Sequence, residues 1–238
     1  MRCADSRARR RHRGAALLVV MVMVLLAGLL LTSALRTAWF NELIVGTEAD
    51  YQRAFGNAQA LLRDAEFDIQ GRNPAGGPCR EGPEFEGSCR RRSAAALADG
   101  EVWFPQDGPA EFESLRSRLL ASKPSCSQGI CVSDQVAAEF WQTPKGELDK
   151  MKAVAAHYGE FSGAPSMLAA NPLLKAKGWY WVEILPFDVA APVPSSAEEL
   201  RPDAGNPYIY RITAIAEGHK PATRAVLQAL LVWKRVDS

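Results

Sequence analysis

The chain has 238 residues, 47% of them hydrophobic, with 28 basic and 27 acidic side chains and a formal net charge of +1. That length suffices for one soluble domain with its own core beside a terminal segment. The balanced charge does not give the basic face of a nucleic-acid binder, and no GxSxG, HExxH or Gly-rich phosphate loop supplies a catalytic motif.

Residues 1–14 form a basic leader that ends in Gly14. Without its six arginines and one aspartate, the 28 basic and 27 acidic residues become 22 and 26, a mildly acidic remainder. Residues 15–35 follow as 21 uncharged positions, AALLVVMVMVLLAGLLLTSAL. As a helix they are about 30 Å long, the thickness of a bilayer's hydrocarbon core. Arg7, Arg9, Arg10, Arg11 and Arg13 precede the run, whereas only Arg36 and Arg53 follow nearby. The positive-inside rule therefore places the N-terminus in the cytoplasm and exports the rest. A cleaved secretory signal is the competing reading, but its apolar core is roughly half as long. Here the helical pattern runs on through Thr32 and Ala34 instead of breaking at a small-residue site.

Residues 36–70 contain no proline, and Tyr51, Phe55, Ala58, Leu62, Ala65 and Ile69 recur at steps of four and three. The spacing predicts an amphipathic continuation of the same helix, with Gln52, Arg53, Gln59, Arg63, Asp64 and Asp68 on the wet side. Gly46 and Gly56 are weak points, each costing about 1 kcal/mol relative to alanine. Residues 71–238 then form the head.

The stretch 71–88 is rich in glycine and proline and reads as a loop. Glu81, Glu84 and Glu86 within it read as solvent-facing acids, not calcium ligands. With Cys3 set aside in the leader, four cysteines remain. Local spacing favours Cys79 with Cys89 and Cys126 with Cys131, although four cysteines allow three connectivities. Disulfides imply an oxidising compartment. A metal site would want CxxC or histidine spacing, and His157 and His219 stand in unrelated contexts. No cofactor is expected.

Arg90, Arg91 and Arg92 read as a solvated loop. A short strand is expected at 101–104, and a helix from Pro109 to about Ser122 with Phe112, Leu115 and Leu119 on its buried side. Another helix is expected near 134–141, and 143–172 has no clear period. Trp103, Trp141, Trp179, Trp181 and Trp233 read as packing residues. Three runs, 178–185, 208–217 and 223–233, are rich in aromatic and β-branched residues and read as strands. Tyr208, Tyr210, Ile212, Ala214 and Ala216 share one face of the second; Ala225, Leu227, Ala229, Leu231 and Trp233 share one face of the third. Residues 218–222 join these two as a hairpin loop. The proline-bearing insertion 186–207 reads as a surface loop with one helical turn and a capping pair, Ser196 with Glu199.

This order of parts resembles type IV pilins and pseudopilins, and within them the PilX family of minor pilins. Three stretches carry the likeness: Arg13-Gly14-Ala15-Ala16-Leu17-Leu18; Ala54-Phe55 with Ala60-Leu61-Leu62-Arg63-Asp64-Ala65-Glu66; and Tyr210-Arg211-Ile212-Thr213-Ala214 with Val226-Leu227-Gln228. Cys126 to Cys131 is similar to the family's short cysteine loop. The resemblance implies an α+β fold, a long N-terminal helix packed on an antiparallel sheet head with disulfide-closed loops. It also implies cleavage by the prepilin peptidase between Gly14 and Ala15, and N-methylation of Ala15. The fifth mature position, where major pilins usually carry glutamate, is Val19, and the first acid after the leader is Glu42. The minor pilins of the PilX family and the K-type pseudopilins of type II secretion share this lack.

By the same resemblance the expected role is structural, not enzymatic: a minor pilin in a tip complex that primes pilus assembly and supports twitching motility and adhesion. Expected partners are other minor pilins of the PilV, PilW and FimU types, a PilY-type tip adhesin, the major pilin and, before assembly, inner-membrane lipid. The head would be periplasmic and later stand at the pilus tip on the cell surface. A K-type pseudopilin, or a membrane-anchored periplasmic protein unrelated to pili, are the alternatives.

Overall fold

The computed structural model describes residues 6–80, 88–90, 92–93, 96, 98–105, 108–143, 145–164 and 177–234, with backbone alone at 6–14, 145 and 197. The chain divides into two compact units, Met1–Ala49 and Asp50–Ser238. Helix α1, Ser6–Gln70, supplies the described part of the first and opens the second. No proline interrupts it, and residues such as Ala, Leu, Met, Arg and Glu favour helix. It stops at Gly71, whose φ of 62° lets the chain turn back. The Arg72 N–H then bonds the Phe67 carbonyl at 2.9 Å and the Gly71 N–H that of Asp68 at 3.0 Å, closing the last turn.

In the first unit, every side chain from Ala15 to Glu48 is exposed. Leu30 is 72% exposed and Met23 66%. Such an apolar surface is not that of a helix meant for water, and α1 is long and apolar enough here to cross a membrane.

The second unit is a five-stranded sheet of order β1-β2-β3-β4-β5, with strands Cys126–Ser127, Ile130–Val132, Gly178–Pro186, Tyr208–Glu217 and Arg224–Leu231. The three long strands are antiparallel neighbours; Tyr180 faces Ala214, which faces Leu227. The sheet is wider than the three expected strands. The cysteine loop is itself a hairpin, β1 with β2, and β2 lies parallel to β3 with Ile130 against Val182. Its two-residue turn needs positive φ at both positions, met by Gln128 at 49° and Gly129 at 78°. A side chain on Gly129 would put its Cβ 2.6 Å from that of Ala156.

One face of the sheet presents Tyr180, Val182, Ile184, Tyr208, Tyr210, Ile212, Ala214 and Ala216 to α1, which answers with Ala54, Ala58, Leu61, Ala65 and Ile69, all at most 1% exposed. Three alanines in that row let the helix approach the sheet closely. The buried row differs from the expected stripe: Tyr51 is exposed, and Phe55 and Leu62 are only partly covered. On the opposite face Trp179, Trp181, Ile215 and Val226 pack with Phe140, Leu148, Met151 and the disulfide Cys126–Cys131. Both faces of the middle strands are therefore covered, which explains their near-continuous apolar character.

Helix α2, Pro109–Leu120, begins with proline and buries Leu115 and Leu119 as its spacing predicts. Residues 101–104 are not a strand; the Glu101 N–H bonds the Ala96 carbonyl, the Val102 N–H bonds Gln128 Oε1, and Phe104 lies edge-on to Tyr210. Residues 134–141 do not form the expected helix, because turns give way to a three-residue 3-10 turn, Phe140–Gln142. Helix α3, Lys145–Lys152, occupies the stretch without clear period. The insertion before β4 does hold one short 3-10 helix, Ser195–Leu200, but Pro194 stands at its N-cap and no side chain caps it, so Ser196 is not the cap.

Candidate functional site

The helix that carries the apolar run is fastened to the head by three aspartates on its covered side, Asp50, Asp64 and Asp68, at most 3% exposed. The sequence pattern placed Asp64 and Asp68 in water; the structure buries both. Each is buried because it meets donors, the condition under which a carboxylate can leave water.

Asp50 grips the β4–β5 hairpin. Its Oδ1 accepts the His219 N–H at 2.9 Å and its Oδ2 the Lys220 N–H at 3.0 Å. These backbone donors hold the carboxyl down at about 2. Gly218 leaves the room for this grip, since a Cβ there would sit 2.5 Å from Asp50 Oδ2.

Asp64 holds the loop 157–163. Oδ2 accepts the Gly159 N–H at 2.8 Å and Oδ1 the Ser162 hydroxyl. Burial nevertheless dominates and pushes the carboxyl up to about 7; the two donors oppose this, and the charges of Asp68 and Glu160 add to it.

Asp68 meets Arg90, which is the centre of the clasp. The guanidinium is bidentate to Asp68 at 2.7 and 2.9 Å, and it also donates to the carbonyls of Val102 at 3.1 Å and Gln128 at 2.8 Å. It lies 3.9 Å from the Phe161 ring centroid and 5.2 Å from that of Phe104. The Tyr180 hydroxyl donates to the same aspartate at 2.9 Å. Burial, with Asp68 and Asp64 nearby, raises Tyr180 well above the usual phenol range. One arginine thus joins α1, the 101–104 segment, the β1–β2 turn and the 157–163 loop. Arg90 is not solvated, as the arginine triplet suggests, because four hydrogen bonds to Asp68, Val102 and Gln128 and the rings of Phe161 and Phe104 hold its guanidinium. Arg92 reaches Glu111 at 2.8 Å, and Arg91 lies outside the described residues.

The disulfide Cys79–Cys89 holds the residue just before Arg90. Cys79 N–H bonds the Gly71 carbonyl at 2.9 Å, so the bridge ties the arginine's segment to the end of α1. Glu81, Glu84 and Glu86 lie outside the described residues.

Of the other residues singled out, Ala15 and Val19 lie on the exposed apolar part of α1, and Gly14 lies on the same helix before them. His157 Nδ1 is 3.0 Å from the Gly178 carbonyl, and the His219 N–H donates to Asp50. Trp181 is buried and donates to the Met151 carbonyl at 3.0 Å; Trp103 donates to Glu111 at 2.7 Å. These are packing roles.

The arrangement is a mechanical one, an apolar helix fixed at its far end to a disulfide-closed head. Residues 106–232 match the family described as type IV pilus assembly protein PilX C-term, more than half of the 238 residues. No curated protein and no solved structure matches the chain. The matched region takes in α2, the cysteine hairpin and all five strands, so the chain belongs to the PilX family of type IV pilus assembly proteins.

Proposed function

We propose that this chain is a minor pilin of the type IV pilus, part of a tip complex that primes assembly and so supports twitching motility and adhesion. Family membership supports the pilus setting. The observation that carries the finer reading is the exposed apolar helix without an acid from Ala15 to Asn41. Lipid and packed neighbouring helices are similarly apolar solvents for such a surface, so moving from one to the other needs no large desolvation.

In this reading residues 1–14 are a leader, removed by the prepilin peptidase after Gly14, and Ala15 becomes the N-methylated terminus. Residues 15–35 are the membrane and filament-core segment, 36–70 the amphipathic continuation, and 71–238 the periplasmic head. Val19 removes the carboxylate that would draw a subunit onto a charged terminus already in the filament. A carboxylate at that depth is costly unless paired. A subunit without it suits the tip, where no earlier subunit stands. Its partners are then other minor pilins of the PilV, PilW and FimU types, a PilY-type adhesin, and the major pilin below them.

The test is co-purification of the full-length protein in detergent with candidate minor pilins and the tip adhesin, alongside pilus counts in a deletion strain. The proposal expects a complex and a loss of surface pili restored by the intact gene. Normal pili in the deletion strain, with no complex, would reject it.

A further inference from the structure

Past the uncharged run, α1 carries Arg36, then Trp39 and Phe40, then Glu42, Leu43 and Ile44. The helix is unbroken through this stretch. Trp39 is 62% exposed and Phe40 56%, and their ring centroids lie 6.1 Å apart, so two large rings stand side by side outside any core. Leu43 and Ile44 are exposed as well.

The order of residue types along the axis follows the layers of a phospholipid leaflet. At about 1.5 Å per residue, Arg36 sits at the end of the apolar run, and the two rings lie about 6–7.5 Å beyond Leu35. The polar layer on each side of a bilayer is about 5–8 Å deep. Glu42, roughly 10 Å beyond Leu35, is then already on the water side. A guanidinium at the layer's inner edge has the planar donors that fit a lipid phosphate. Tryptophan, with an apolar body and one N–H, favours the headgroup level.

We propose that residues 36–40 form a lipid-interface anchor, with Arg36 on a phospholipid phosphate and Trp39 and Phe40 seated in the headgroup layer of the outward leaflet. The occupant is phospholipid, and the proposal rests on the reading of residues 15–35 as a membrane span. The anchor fixes the depth at which the helix waits in the bilayer and is the contact given up on leaving it.

The test uses the full chain in vesicles of phosphatidylethanolamine and phosphatidylglycerol, with acyl chains brominated either near the headgroup or near the chain end. Fluorescence of the intact protein minus that of Trp39→Phe isolates Trp39 from the other tryptophans. The expected result is quenching about twofold stronger with bromine near the headgroup than near the chain end. Stronger quenching from the chain end would put Trp39 in hydrocarbon and overturn the anchor. Equal, weak quenching would place it in water or against another protein chain and overturn it too. Flotation separates the two levels of the claim: protein that fails to float with vesicles refutes the span itself, whereas protein that floats with Trp39 unquenched refutes only the anchor.

Discussion

At the scale of single residues, the aspartates of the helix respond oppositely to pH. Asp64 has its carboxyl raised from 3.8 to about 7 in the folded protein, so between those values the folded state holds a proton that the unfolded state has released. Stability from this group is therefore full below pH 4 and declines as pH rises to 7, by up to about 1.4 kcal/mol per pH unit. Asp64→Asn should flatten that decline in urea titrations between pH 4 and 7; an unchanged slope would remove Asp64 as its source. Asp50, lowered from 3.8 to about 2, has the opposite sign. Its contribution is present above pH 4 and is lost as pH falls through 2. Arg90 is the most exacting position. Removing it in Arg90→Met strands Asp68 without its counter-ion and should cost about 3–5 kcal/mol in urea unfolding. Adding Asp68→Asn, which neutralises the stranded charge and still accepts from Tyr180, should recover a large part of the loss.

At the scale of elements, the informative comparison is between the stripe legible in α1 and the one it buries. Counting apolar residues selects Tyr51, Phe55, Ala58, Leu62, Ala65 and Ile69. The helix buries three of these, Ala58, Ala65 and Ile69, together with Asp50, Ala54, Asn57, Leu61, Asp64 and Asp68, a row at the same steps of four and three, one position earlier. That row escapes an apolar count because four of its six members are polar, with Asp64 and Asp68 read as facing water, and the donors to Asp50 and Asp64 come from segments 95 to 170 positions away in sequence, as in Gly159 to Asp64 and Lys220 to Asp50. Arg90 is hidden because its acceptors, Asp68, Val102 and Gln128, lie on three separate segments. The β3 and β4 runs are readable because both of their faces meet apolar cover, whereas β5, with Leu230 72% exposed, is readable from its apolar composition alone. The β1–β2 hairpin was visible only as a tight loop, since its strands have two and three residues. Substitution distinguishes the two helix registers. Leu61→Ala should cost about 2–5 kcal/mol, as for a fully buried leucine, and the half-covered Leu62→Ala less than half of that, both measured by urea unfolding. Equal losses would contradict the buried row described here.

At the scale of the whole molecule, the two units have opposite relations to water. The head encloses its apolar residues, seals one loop with each disulfide and neutralises its buried acids, whereas residues 15–45 leave theirs uncovered. Such a chain needs an apolar surround for its first unit and a hydrated, oxidising one for its second. A membrane-stored filament subunit meets both needs, and membership of the PilX family fits it. The absence of a carboxylate at Val19 belongs to this scale, because in the proposed function it bears on assembly order. Val19→Glu should impair pilus initiation and alter tip composition, read from pilus counts and from mass spectrometry of tip fractions; unchanged values would remove the argument for a tip position.

In the proposed function the chain is a processed structural subunit of the pilus. The most direct measurement is mass spectrometry of its N-terminus in pili sheared from cells. The prediction is a chain beginning at Ala15, bearing one N-methyl group and lacking residues 1–14. A chain that stays in the membrane fraction with its leader intact, and is absent from sheared pili, would contradict it.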